Sequence, residues 1–207
     1  MYKSIDVYDL KVISDKAIYE KVGEYSVEIT DDNEIRRIKS NVRVDNVDLE
    51  NSLVCCDSNS LIPIESEFIT KISDTDVTLK CTYKKKSIEL TANTPKGTFK
   101  KKLKNNIIIY DNLQVYDLIG KLDYEKSQEY KVNILNIQTS IMEEYKVSYC
   151  CLEDVKLNEK TYPCIRVALC KSIDCTEKQF LLYSDTEDRK LIRAINKGQV
   201  LEYSGIN

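Results

Sequence analysis

Apolar and polar residues alternate with a period of two along most of this chain, and a helical period of 3.6 hardly occurs. Tyr25, Val27 and Ile29 fall on one face, with Glu24, Ser26 and Glu28 opposite. The polar run at 30–34 reads as a turn, after which Ile38, Val42 and Val44 resume the pattern with Ser40 in phase. A second turn signal at 57–60 precedes Ile62, Ile64, Phe68 and Ile72, which alternate with Pro63, Glu65, Glu67 and Lys71. Residues 77–104 read as a three-stranded meander. Val77, Leu79, Cys81 and Tyr83 face inward, 84–87 turn, and Ile88, Leu90 and Ala92 return. Thr94, Pro95, Lys96 and Gly97 make a reverse turn, since Pro fixes φ and Gly tolerates positive φ. Phe99 and Leu103 then continue the apolar face, and further strand patterns follow at 130–134, 145–151, 162–169, 180–182, 191–195 and 200–203.

One segment breaks this rhythm. Asp111 suits a helix N-cap, and Leu113, Val115, Tyr116, Leu118 and Ile119 put apolar groups on most sides of a short helix over 111–119. Gly120 is placed to end that helix in left-handed geometry. A helix apolar all round, set among strands, predicts a mainly β fold: a strongly curved antiparallel sheet, half-barrel or open barrel, with one short helix packed on its concave face. No Pro/Gly/Ser-rich linker divides the 207 residues, so a single domain over 1–207 is expected.

Composition narrows the chemistry. The chain has no histidine, which excludes Ser-His-Asp and Cys-His nucleophiles and His-bearing zinc sites. Its five glycines form no phosphate-cradling loop, and no nucleophile elbow is present. The first residues contain no apolar run of signal-peptide length, and no segment has the length and apolarity of a membrane span, so a cytoplasmic protein is expected unless a leader has been removed. In that compartment the eight cysteines read as free thiols filling a core. Their spacing matches no zinc knuckle, and neither a metal nor a cofactor is expected.

The segment from Tyr110 to Ile119 (YDNLQVYDLI) resembles a motif of domain-of-unknown-function family 3108. The strand start Leu61-Ile-Pro-Ile-Glu-Ser-Glu-Phe68 and the late segment from Leu181 to Arg193 are similar in order and pattern, with Tyr183 where the family usually carries Trp, over roughly residues 50–204. The resemblance implies bacterial proteins with a bent antiparallel sheet, like carrier half-barrels that hold lipids.

Charge supplies two further candidates. Nine lysines and one acid, Glu89, lie within 77–104. The meander would gather Lys84, Lys85, Lys86, Lys102 and Lys104 into one anion-contacting cluster. The plainer reading, preferred here, is that these lysines keep an exposed hairpin soluble and guard an edge strand. The absence of arginine and of interleaved aromatics from this segment argues against specific nucleic-acid binding. Asp185 and Asp188 read as turn residues, with Arg189 or Arg193 as their partners.

The expected function is non-enzymatic binding of an apolar or amphipathic, lipid-like small molecule in an apolar cavity. Leu113, Tyr116 and Leu118 would face it, with the lysine cluster near the head group. A scaffold or protein-interaction module with a filled core, using an exposed strand edge, is the alternative, and a carboxylate- and Lys-based hydrolase or transferase is the third.

Overall fold

The computed structural model describes residues 2–13, 19–72 and 75–205. They form β1 (Tyr2–Ile13), β2 (Tyr19–Asp31), β3 (Ile35–Val44), β4 (Val47–Asp57), β5 (Pro63–Ile72), β6 (Thr75–Lys84), β7 (Ser87–Thr94) and β8 (Gly97–Lys104). A two-residue β9 (Tyr110–Asp111), a 3-10 turn (Asn112–Gln114) and α1 (Val115–Gly120) come next. The chain returns to strands with β10 (Glu129–Asn136), β11 (Ile141–Leu157), β12 (Lys160–Lys171), β13 (Gln179–Ser184), β14 (Leu191–Asn196) and β15 (Gln199–Gly205).

All the strands belong to one sheet in the order β8-β7-β6-β5-β4-β3-β2-β1-β15-β14-β13-β12-β11-β10-β9. Neighbours pair antiparallel except β9 and β10, which run parallel. Two meanders are thus joined back to back through β1 and β15, with Tyr8 opposite Tyr203 and Leu10 opposite Leu201. The sheet is strongly curved and not closed: β8 and β9 are its edges and do not pair with each other. The expected mainly β fold with one short helix is what forms.

The two ends of the sheet meet face to face. Ile134 and Leu135 leave β10 on opposite sides, as adjacent strand residues must. Ile134 joins the main core with Val147, Val167 and Leu181, whereas Leu135 packs with Phe68, Cys81, Ile88 and Leu90 of β5, β6 and β7. The same division holds on β9, where Tyr110 lies against the main core and Asp111 accepts hydrogen bonds from Ser66 and Tyr83, each at 2.5 Å. The β5–β8 end therefore laps over the β9–β10 end, and apolar packing does there what ladder hydrogen bonds do in a barrel. A third cluster, including Val155, Leu157, Cys164, Leu182 and Ile192, covers the convex side of β13 and β14.

Several expectations need correction. Gly120 is not at positive φ; an added Cβ would sit 3.0 Å from Cε1 and 3.2 Å from Cδ1 of Tyr183, so the position serves close approach to a buried ring. Phe99 is 58% exposed, because β8 is an edge and its inner face lacks a complete covering layer. Ile62 and Ile64 are also exposed, and Pro63, Ser66 and Phe68 carry the buried positions of β5. A bulge between Cys55 and Cys56 shifts that register. Arg193 pairs with Glu202, and Arg189 donates to the Leu122 carbonyl and lies over the Tyr124 ring, so neither arginine binds Asp185 or Asp188. Cys170 and Cys175, five residues apart, form a disulfide where a free pair was expected, because the connector after β12 turns back to bring their Cα atoms within 5.1 Å.

Candidate functional site

The helix is fixed to the concave wall by polar contacts at several points. Asp111 caps the 3-10 turn, its carboxylate accepting from the Leu113 N–H at 2.9 Å, as its position before an apolar run predicts. Gln114 is buried and donates from Nε2 to the Leu61 carbonyl at 2.7 Å. The Tyr183 hydroxyl donates to the Tyr116 carbonyl at 2.7 Å, while Gln179 Nε2 donates to the Tyr116 hydroxyl at 3.0 Å. Asp117 receives a bidentate pair from Arg36 of β3, at 2.8 and 2.7 Å.

Held there, the helix divides the hollow into two clefts that share Tyr25, Leu113 and Tyr116 in their linings. The larger has a volume of about 550 Å³ and the smaller about 340 Å³. The larger cleft has an apolar wall that includes Val27, Ile29, Ile38 and Leu191. It is not the wholly apolar cavity expected from sequence: Asp6, Asp31, Arg36, Asp117, Lys121, Asp188, Arg189 and Lys190 also line it. Each of these charges comes from an inward position of a strand, from the helix or the residue that follows it (Lys121), or from the β13–β14 connector. On β2 the inward phase runs Tyr25, Val27, Ile29, Asp31; on β3 it runs Arg36, Ile38, Ser40.

Five of these charges, Asp6, Asp31, Arg36, Asp117 and Lys190, are paired with one another. The guanidinium of Arg36, whose side chain is 8% exposed, spans Asp117 and Asp31, the latter at 3.1 Å. Hydrogen bonding from Ser58 first, with the Asn33 N–H and Arg36 behind it, holds the Asp31 carboxyl below its ordinary range. Lys190 forms an ion pair with Asp6 at 2.7 Å and lies over the Tyr203 ring. An isolated buried charge is costly, and pairing with hydrogen bonds is what makes it tolerable. Burial pushes the thiols of Cys56 and Cys81 up to about 12 and that of Cys164 to about 11, so all three are protonated near neutrality.

Of the residues singled out from sequence, Leu113 and Tyr116 line both clefts, and Leu118 is buried in the main core, outside either lining. Lys84 to Lys86 and Lys102 to Lys104 do come together at one end of the meander, where Ser87 lies opposite Lys104. Glu89 pairs with Lys84 and Lys102, and none of the five lysines lines either cleft. Arg36, Asp31, Asp6, Asp117 and Lys190 went unremarked as interior groups. The signal was present for Asp31 and Arg36, each of which continues the inward phase of its strand.

With this geometry in place, comparison with known proteins bears on the fold. No family model matches the chain, and no curated protein matches it. The structure is similar to a crystal structure of a β-barrel-like protein of domain of unknown function DUF1849 from Brucella abortus. The TM-score is 0.62 at 11% identity, over 100% of this chain and 98% of that one. The two share a fold. The resemblance to family 3108 is overturned: no model of that family matches, and the similar structure belongs to a differently named domain. The residues behind it are a capped apolar helix and alternating strands, which any curved sheet with a plug requires. Among the described residues no helix is long and apolar enough to cross a membrane.

Proposed function

We propose that the protein binds an amphipathic small molecule without transforming it, in the larger cleft between α1 and the concave sheet. The observation that carries this reading is a cleft of about 550 Å³ with an apolar wall and a charged end. That size lies within the range of small-molecule sites, roughly 300–1,000 Å³. The apolar part of the ligand would lie along Val27, Ile29, Ile38 and Leu113. Its polar head would meet the end lined by Lys121, Asp188 and Arg189, where Lys121 makes no ion pair among the described residues. A wholly apolar ligand is disfavoured, because it would strip water from those charges without replacing it.

Binding is favoured over hydrolysis by the state of the carboxylates. Asp31 and Asp117 are locked on one arginine, which occupies their oxygens and leaves them turned away from a substrate. The scaffold reading has one observation in its favour, the unpaired edge of β8 (Gly97–Lys104), where an extended segment could add. A cytoplasmic location accords with six free cysteines, four of them buried. Native mass spectrometry of protein purified without detergent tests the proposal. A reproducible extra mass of small-molecule size, lost in an Ile38→Arg variant that still folds, supports it; a bare chain from its native cell sinks it.

A further inference from the structure

Among the described residues, the smaller cleft carries one charge and no counter-charge. Glu50 is the only charged residue among the described residues that line it. It sits half-buried on β4, in phase with the inward Ser52, and its partners across the ladder are Val42 on β3 and Thr70 on β5. No basic side chain therefore faces it from either neighbouring strand. Burial by itself raises its carboxyl above the ordinary range, with no ion pair or hydrogen bond acting the other way. The larger cleft differs in kind, since Asp6, Asp31 and Asp117 each have a cation of this chain beside them.

The rest of the lining suits a cation from outside. Tyr25, Phe68 and Tyr116 present aromatic side chains, whose faces attract organic cations. Ser40 and Ser52 share a hydrogen bond of 2.6 Å and, with the amides of Gln138 and Gln179, offer neutral acceptors. An inorganic divalent ion fits poorly, because it seeks several oxygen ligands with more than one carboxylate, and Glu50 stands alone. An anion would be repelled, and a neutral ligand would leave Glu50 desolvated and unpaired.

We propose that the smaller cleft binds a small organic cation, a primary amine whose ammonium group is held by Glu50 while its carbon chain lies against Tyr25, Phe68 and Tyr116. This site stands independently of the reading given to the larger cleft. It supplies from solution a charge that the described lining does not provide.

Calorimetric titration with n-butylamine, set against 1-butanol as a neutral counterpart of the same shape, tests it on the full chain. The amine is expected to bind at a single saturable site and the alcohol not to. Glu50→Gln should weaken the amine by about tenfold, the loss of one charge-assisted contact. Glu20→Gln, at an exposed position, controls for general attraction to an acidic protein and should match the parent. Glu50→Gln should also melt no lower than the parent, since it removes an unpaired charge and keeps the shape. Equal binding of amine and alcohol, absence of saturable amine binding, unchanged affinity in Glu50→Gln, or a clear loss of stability in that variant would each overturn the proposal. Mass retained in the larger cleft should not change in Glu50→Gln, so the two sites fail separately.

Discussion

Arg36 and Asp117 join the sheet to its helix through two parallel bonds, Nε to Oδ2 at 2.8 Å and Nη2 to Oδ1 at 2.7 Å, across 81 residues of sequence. Both side chains are nearly buried, at 8% and 11% exposure, so the pair positions α1 over the hollow and sets the shape of both clefts. Removing one partner leaves the other charged and without its main contact. Asp117→Ala should therefore lower unfolding stability by about 3 kcal/mol in urea titrations, whereas the apolar double replacement Arg36→Met with Asp117→Leu should cost less. A single variant as stable as the parent would show that the pair does not hold the helix.

Gly120 against Tyr183 gives a test with two opposed terms. Alanine in a helix is favoured over glycine by about 1 kcal/mol. The new Cβ would lie 3.0 Å from a fully buried ring and 3.3 Å from the Arg189 carbonyl oxygen. Tyr183 cannot swing away, because its hydroxyl is bonded to the Tyr116 carbonyl. Overpacking, about 1–3 kcal/mol, should win, and Gly120→Ala should melt below the parent.

Asp31 makes the fold sensitive to acid. Its carboxyl lies below the ordinary range in the folded state, chiefly through the Ser58 hydroxyl. A depressed pKa contributes stability above the unfolded-state value, about 3.9, which is lost as pH falls through the folded one. The stability advantage of the parent over Asp31→Asn should thus be present at pH 6 and shrink below about pH 4. An advantage that stays constant, or grows, on acidification would contradict the assignment.

The lysines of β8 should act as an edge guard. Lys100 and Lys102 sit on an edge strand, paired with β7 on one side and open to addition by another chain on the other. Replacing both by threonine should raise self-association in light scattering while leaving the monomer's melting temperature within about 1 kcal/mol of equivalent stability. Loss of binding to anionic vesicles without any self-association would instead favour an anion-contacting role for the wider cluster.

Strand alternation made most of this fold legible. The meander from β6 to β8 and the strands after the helix follow directly from it, as does the cap at Asp111. What it hid was the interior polarity. On β1 the inward positions are Tyr2, Ser4, Asp6 and Tyr8, so half of the buried face looks like a surface and the strand goes unseen. Arg36 reads as an ordinary exposed base until it is placed in phase with Ile38 and Ser40. The overlap of the sheet's two ends was also beyond alternation, because Ile134 and Leu135 are both apolar and alternation cannot show that each face of β10 has its own core. Phe99 failed for the converse reason: its phase is inward, but an edge strand has little to cover it.

The hollow itself admits the most direct test. Protein taken from its native cell without detergent and crystallised should show continuous density of a small molecule between α1 and the wall formed by Val27 and Ile38, with its polar end toward Lys121 and Arg189. Ordered water alone in that space, with Arg36 and Asp117 still paired, would contradict a binding role for the cleft.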